Sequence, residues 1–160
     1  MIRLSRLADY GIVIATQLAR HPNRQQNAPE IALATGIPQP MASKVLKVLA
    51  RAEILASHRG AKGGYGLARP ATSITVADVV EALDGPIALT SCLDEGAAGH
   101  DCAIEASCLT RANWQRVNGA IRDALRGVTI AEMTQGIPHA FLLPEERAAA
   151  VAAAALPAQA

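Results

Sequence analysis

The sequence predicts a mainly α-helical protein with a small β-hairpin, built as a winged helix-turn-helix followed by a long dimerisation helix. Three observations predict it: two short helical segments joined by a glycine turn, a glycine-rich hairpin directly after them, and a later helix with a continuous apolar stripe. The 160 residues are enough for one compact domain. We find no apolar run of about eighteen residues and no signal peptide, so we expect a cytoplasmic protein without a membrane span.

Charge is unevenly distributed along the chain, although the net charge is only +1. Residues 1–70 contain ten Lys or Arg and three Asp or Glu, a balance of +7, whereas residues 71–160 contain five and eleven, a balance of −6. A basic amino-terminal half predicts binding to a polyanion. The four aromatic residues are too few for base stacking on single strands, which favours double-stranded DNA; they are Tyr10, Tyr65, Trp114 and Phe141.

The first three helices are predicted from apolar spacing and from capping residues. Residues 4–20 carry apolar side chains at helical spacing, namely Leu7, Tyr10, Gly11, Ile14 and Leu18. The second helix begins at Asn27, which forms a capping box with Glu30, and it ends at Gly36. After the turn at residues 37–40, the third helix is expected to direct four residues inward: Val45, Val48, Leu49 and Ala52.

The outer face of the third helix is polar and basic. Ser43, Lys44, Lys47 and Arg51 recur there at spacings of three and four, which is typical of a DNA-recognition helix. An ordinary solvated helix face is the alternative interpretation. DNA binding is favoured by the next element, a predicted hairpin whose strands are residues 54–59 and 65–69.

The tip of this hairpin is rich in glycine, and a hairpin directly after a recognition helix indicates a wing. Arg59 and Lys62, beside and at the tip, are candidates for the minor groove, where the negative potential is enhanced. A phosphate-binding glycine loop is a weak alternative, because no Gly-Lys-Ser/Thr motif opens a helix here.

Two further helices are predicted beyond the wing. Thr75 caps a helix over residues 76–83, and Gly85-Pro86 ends it. After the last cysteine an apolar stripe predicts a long helix: Trp114, Val117, Ile121, Leu125 and Val128. Packing of this helix on a second copy would form a symmetric dimer, so two recognition helices would meet an inverted-repeat DNA site. A second capping box, Thr129 with Glu132, opens a short helix.

All three cysteines lie in one polar, glycine-bearing segment, at Cys92, Cys102 and Cys108. Three thiols cannot all form disulfides, and a loop that collects them without packing anything indicates a binding role. The residues alone leave three interpretations open: a metal or iron–sulfur site, a thiol redox pair, or cysteines without a role. No acid–base pair or nucleophile constellation accompanies them, so we expect neither an enzyme nor a small-molecule substrate.

These residues together resemble the IscR-type winged-helix regulators, which carry an iron–sulfur cluster. The resemblance covers residues 1–134. It is carried by residues 4–10, 43–46, 108–114 and 128–130, and above all by the wing signature RGAKGGYGLARP at residues 59–70. Residues 84–92, DGPIALTSC, look like the subgroup that regulates the SUF cluster-assembly operon.

The resemblance implies a homodimer that binds palindromic promoter DNA under the control of a [2Fe-2S] or [4Fe-4S] cluster and represses cluster-assembly genes. The resemblance implies that Cys92, Cys102 and Cys108 are ligands of this cluster. Asp9 matches an acidic ligand that the partner subunit supplies in some members, with His100 as the alternative. The chain departs from the family in two places: nine residues rather than five separate the first two cysteines, and Arg111 replaces a histidine ligand.

Four segments follow from this interpretation. Residues 1–85 are the DNA-binding domain, 86–108 the cluster-binding loop, 109–134 the dimerisation helix with the short helix after it, and 135–160 a loosely held Ala/Pro-rich tail. Two alternatives share the fold: a nitric-oxide or redox sensor, and a thiol- or zinc-dependent repressor without a cluster. We do not expect this chain to make all of the contacts with DNA bases that family members make. Pro38, Pro40 and Met41 occupy positions where relatives often have polar residues.

Overall fold

The computed structural model describes residues 3–60, 63–94, 102, 104 and 107–135. Its elements are helices α1 (Arg6–Ala19), α2 (Ala28–Thr35) and α3 (Gln39–Arg51), strands β1 (Leu55–His58) and β2 (Gly64–Leu67), and helices α4 (Val76–Asp84), α5 (Arg111–Arg126) and α6 (Ile130–Met133). Short 3-10 turns occupy Ala71–Ser73 and Ser91–Leu93. The predicted fold class, mainly helical with a hairpin wing, is confirmed. Within these residues no helix is both long and apolar enough to cross a membrane.

Capping residues mark the starts of α2, α4 and α6, as predicted. At the start of α2, Asn27 Oδ1 accepts a hydrogen bond from the backbone N–H of Glu30 at 2.9 Å, and Glu30 Oε2 accepts one from the Asn27 N–H at 2.8 Å. Gly36 ends α2 with a left-handed backbone, φ +71°, which glycine adopts without strain. Thr75 with Asp78, and Thr129 with Glu132, form equivalent boxes at α4 and α6.

The core of the helix-turn-helix is formed where α3 packs against α1 and α2. Helix α3 buries Ala42, Val45, Leu46 and Leu49. The prediction of its inner face was wrong at two positions: Val48 is half-buried and Ala52 is exposed. The buried stripe is rotated so that Leu46, one turn after Ala42, faces inward, and α3 already ends at Arg51.

The wing is paired with the loop between α1 and α2 as well as with itself. Strands β1 and β2 are antiparallel, with Leu55 opposite Leu67 and His58 opposite Gly64. On the other edge of β2, the Tyr65 N–H donates to the Gln26 carbonyl at 2.8 Å, and the Tyr65 carbonyl accepts from the Gln26 N–H at 3.1 Å. A side chain at Gly64 would lie within 2.8 Å of the Gln26 backbone, so this close pairing requires glycine.

The segment after α5 packs back onto the winged unit. Ile130, at the start of α6, is fully buried in the common core. Its N–H donates to the Ile74 carbonyl at 2.8 Å, and the N–H of Val76 donates to the Val128 carbonyl at 2.9 Å. The carboxyl-terminal end of α5 is therefore positioned relative to α4, and Asn118 in the middle of α5 is bonded to the backbone of Ile87 and Leu89.

Candidate functional site

The predicted DNA-contacting side chains of α3 lie on the solvent side of the helix-turn-helix. Lys44, Lys47 and Arg51 are exposed and Ser43 is half-buried. Arg59 is exposed directly after β1, at the beginning of the wing tip. Lys62 lies outside the described residues. The structure thus presents a basic helix face followed by a basic wing, the two parts that a winged helix uses on duplex DNA.

Asn118 fixes the segment that leads to the first cysteine, and the sequence analysis did not single it out. Its side chain is only 6% exposed. The amide donates to the Ile87 carbonyl at 2.9 Å, and the side-chain oxygen accepts from the Leu89 N–H at 3.0 Å. A signal was present in the sequence, because Asn118 is a polar residue four positions after Trp114, within the apolar stripe of α5.

Cys92 lies in the 3-10 turn Ser91–Leu93, which was predicted as irregular loop. Its sulfur is 3.3 Å from the Thr90 hydroxyl. The turn and α5 enclose a cavity of about 230 Å³. The lining residues are Cys92 and Leu93 together with Arg111, Gln115, Asn118, Gly119 and Arg122 of α5. The first cysteine therefore faces a stripe of α5 that carries two guanidinium groups.

Cys108 lies three residues before α5, close to the same end of that helix. The Thr110 hydroxyl is 3.4 Å from its sulfur, and this hydrogen bond, with smaller contributions from the backbone N–H groups of Thr110 and Arg111, lowers the pKa of the thiol. The thiolate is the form that binds metal and reacts as a nucleophile. The Cys108 thiol therefore ionises more readily than an ordinary cysteine.

The predicted ligand set is only partly assembled within one chain. Cys92, Cys102 and Cys108 are free thiols and half-buried. Over the ranges described above, no three His, Cys, Asp or Glu side chains lie close enough together to hold a metal ion. His100 lies outside the described residues. Free, soft thiolate donors suit an iron–sulfur cluster chemically, but the set Cys92, Cys102, Cys108 and Asp9 stays a prediction.

Asp9 lies apart from the cysteines, exposed in the first turn of α1. The start of α1 is held to the end of α4, because the Ser5 N–H and hydroxyl both donate to the Asp84 carboxylate. An open cavity of about 490 Å³ lies beside Asp9, lined also by Arg3, Leu4, Ser5 and Arg6. This carboxylate is therefore accessible to a second molecule.

Helix α5 also carries an apolar face that the described part of the chain does not cover. Trp114 is 42% exposed and Val117 is 45% exposed, although both belong to the predicted apolar stripe. Leu125, further along the stripe, packs against the core. The amino-terminal half of the stripe is therefore available for a contact with another molecule.

A helix-turn-helix with a basic third helix, followed by a hairpin wing, defines the winged-helix class of DNA-binding proteins. The family model for Rrf2, described as an iron-dependent transcriptional regulator, matches residues 4–136. The chain belongs to the Rrf2 family of transcriptional regulators. This confirms the predicted relationship to the IscR-type regulators and the expectation that the protein is not an enzyme.

Individual relatives have similar lengths. Protein aau3 of Rhizobium meliloti is 32% identical over 143 residues, which cover 89% of this chain and 92% of the relative. The transcriptional regulator IscR of Vibrio campbellii is 29% identical over 134 residues, 82% of this chain and 77% of the relative. The solved structure of T. potens IscR superposes with a TM-score of 0.64 at 27% identity, covering 89% of this chain and 93% of that one.

Proposed function

We propose that the chain is a dimeric regulator that binds palindromic promoter DNA under the control of an iron–sulfur cluster, and that it represses SUF-type cluster-assembly genes. The observation that carries the proposal is the position of Cys92. Asn118 of α5 forms hydrogen bonds with the segment that precedes Cys92, and α5 begins three residues after Cys108. Two of the three thiols are thereby placed by the same helix.

Cys92, Cys102 and Cys108 would hold the cluster, with Asp9 of the partner subunit as the fourth ligand. A cluster bound by three thiolates and one more exchangeable oxygen supplies sensitivity to iron supply and to oxidants. Exposure of Asp9, beside an open cavity and on the first helix of the winged domain, supports a ligand role between subunits. Such a bond would tie the cysteine segment of one chain to the DNA-binding domain of the other.

The dimer would form through the apolar face of α5. Trp114 and Val117 are large side chains that are nearly half exposed, and their burial against a second copy would be favourable. Because α5 is joined to α4 and α6 of the winged unit, its crossing angle sets the separation of the two α3 helices. The dimer would therefore have two arrangements that differ in the separation of the α3 helices. The ligand bond and DNA binding would both shift the equilibrium between these arrangements.

On the DNA, the residues divide by the part of the duplex they reach. Lys47 and Arg51 would contact phosphates, whereas Ser43 and Lys44 would lie at the edge of the major groove. Arg59 and Lys62 would place the wing at the minor groove. The exposed positions of Lys44, Lys47, Arg51 and Arg59 support this division.

The proposal is tested by anaerobic purification of the full chain, with iron, acid-labile sulfide and visible absorption measured on the same sample. Cys102→Ala and Asp9→Ala are expected to lower iron and sulfide or to change the spectrum. Asp123→Ala removes an exposed carboxylate of α5 and should leave both unchanged. An unchanged spectrum for Asp9→Ala would remove this residue as a ligand.

Promoter binding separates the remaining possibilities. Protein without iron and sulfide that binds its promoter equally well after its thiols are blocked would contradict the proposal. A colourless protein whose DNA binding needs zinc or free thiols would indicate a thiol- or zinc-dependent repressor. A cluster protein that protects a promoter other than that of cluster-assembly genes, and responds to nitric oxide, would indicate a nitric-oxide sensor.

A further inference from the structure

The first turn of α3 consists of Gln39, Pro40, Met41 and Ala42. Gln39 and Pro40 are exposed, whereas Met41 packs partly against the core and Ala42 is fully buried. Among these four side chains, the carboxamide of Gln39 is the one that has a hydrogen-bond donor and an acceptor. A polar side-chain contact between this turn and another molecule therefore has to be made by Gln39.

The carboxamide of Gln39 is available for such a contact. In the part of the chain that the structure describes, it forms no hydrogen bond with another residue. Pro38 and Pro40 flank it, and a proline ring fixes its own φ at about −65°; the φ of Pro38 is −54°. Because both neighbours are restrained, Gln39 loses little backbone freedom when it is held against a partner.

Gln39 also extends the line of proposed DNA-contacting residues along α3. Ser43 and Lys47 follow it at steps of four residues, and positions four apart are neighbours on one side of a helix. The recognition helix of a helix-turn-helix contacts base edges with its amino-terminal residues. Gln39 is the first residue of α3, and Arg51, a proposed phosphate contact, is the last. Gln39 therefore has the position and the chemistry of a base contact.

We infer that Gln39 is a specificity-determining residue whose carboxamide binds an adenine in the major groove. The amide oxygen accepts from the N6 amino group and the amide N–H donates to N7, the bidentate pairing that glutamine forms with this base. The inference rests on the proposed contact of α3 with duplex DNA, and it is independent of the cluster.

The test begins with selection of duplexes from a random DNA pool by the full chain, purified anaerobically. The wild type is expected to enrich a common site, and Gln39→Ala to lose discrimination at one of its A·T pairs alone, by roughly 5- to 100-fold. Replacing that adenine by 7-deazaadenine removes the N7 acceptor, which should weaken wild-type binding and leave Gln39→Ala unaffected. The matched control, Gln135→Ala, removes an exposed carboxamide just after α6 and should behave as the wild type.

The outcomes separate this inference from the proposed DNA contact of α3. Wild-type discrimination in Gln39→Ala, a uniform loss on every sequence at unchanged helical circular dichroism, or equal sensitivity of both proteins to 7-deazaadenine overturns the inference. A loss confined to a G·C pair, or a wild type that enriches no common site, overturns it too. Lys47→Ala in the same series decides the wider placement: weaker binding keeps α3 on the DNA, and wild-type binding removes both.

Discussion

At the scale of single residues, the two cysteines that flank the segment each have a threonine hydroxyl close to the sulfur. Thr90 lies 3.3 Å from Cys92 Sγ and Thr110 lies 3.4 Å from Cys108 Sγ. For Cys108 this contact lowers the pKa, which increases the thiolate fraction near neutral pH. A small hydroxyl group therefore influences how readily the Cys108 thiol ionises.

Replacement of Thr110 by Val removes that hydroxyl with little change in shape. The hydrogen bond stabilises the thiolate, so its loss should raise the pKa of Cys108 and move the pH profile of alkylation to higher pH in iron-free protein. The profile is measured for each cysteine by mass spectrometry. Thr110→Ser keeps the hydroxyl and should follow the wild type; coincident profiles for the Val and wild-type proteins would contradict the prediction.

At the scale of elements, the wing depends on a close backbone contact. Gly64→Ala would place a methyl group about 2.8 Å from the Gln26 backbone, whereas a Cβ at Gly66, on the same strand, would meet nothing within 4 Å. We expect Gly64→Ala to lower the free energy of unfolding by about 1–3 kcal/mol, through overpacking, and Gly66→Ala to change it much less.

Chemical denaturation of the two variants measures this difference. DNA affinity should fall with Gly64→Ala, because the pairing of Tyr65 with Gln26 positions the wing. Equal effects of the two substitutions would show that the contact with the α1–α2 loop does not stabilise the wing.

The exposed face of α3 allows a second prediction at this scale. Lys47→Ala should weaken binding to all duplex sequences by a similar factor and reduce the slope of log K against log salt by about 1, because a phosphate contact releases counterions. Binding is measured by fluorescence anisotropy at several salt concentrations on the operator and on unrelated DNA. Loss of binding to the operator alone would assign Lys47 to a base instead.

Elements with strong local signals were predictable from the sequence, and those that depend on distant contacts were not. Asn27 with Glu30, and Thr129 with Glu132, mark helix starts because capping is a local interaction. For α3, the predicted inner face included Val48 and left out Leu46, which is the buried residue. Several rotations of a short helix give similar apolar stripes, so the sequence does not distinguish them. The bonds from Asn118 span 29 and 31 residues, so neither they nor the cavity at Cys92 can be derived from local pattern.

At the scale of the whole molecule, the exposed apolar face of α5 predicts the oligomeric state. Val117→Glu would place a charge within that face, and the two-fold symmetry of the proposed dimer would bring two such charges together. We expect a monomer by sedimentation velocity at a concentration where the wild type is a dimer. Ala112→Glu adds the same charge on another side of the helix and should remain dimeric; a dimeric Val117→Glu would place the interface elsewhere.

The hydrogen bonds of Asn118 to residues 87 and 89 affect how well the chain tolerates insertions in the cysteine segment. Residues 87–89 are held by this side chain, and Cys108 directly precedes the helix that carries it, so the entry and the exit of the cysteine segment share one rigid support. Insertions between Cys92 and Cys108 lengthen the connecting segment at a small entropic cost and leave these two thiols where they are. The chain can therefore accept a longer spacing after Cys92 while its outermost sulfurs keep their mutual geometry.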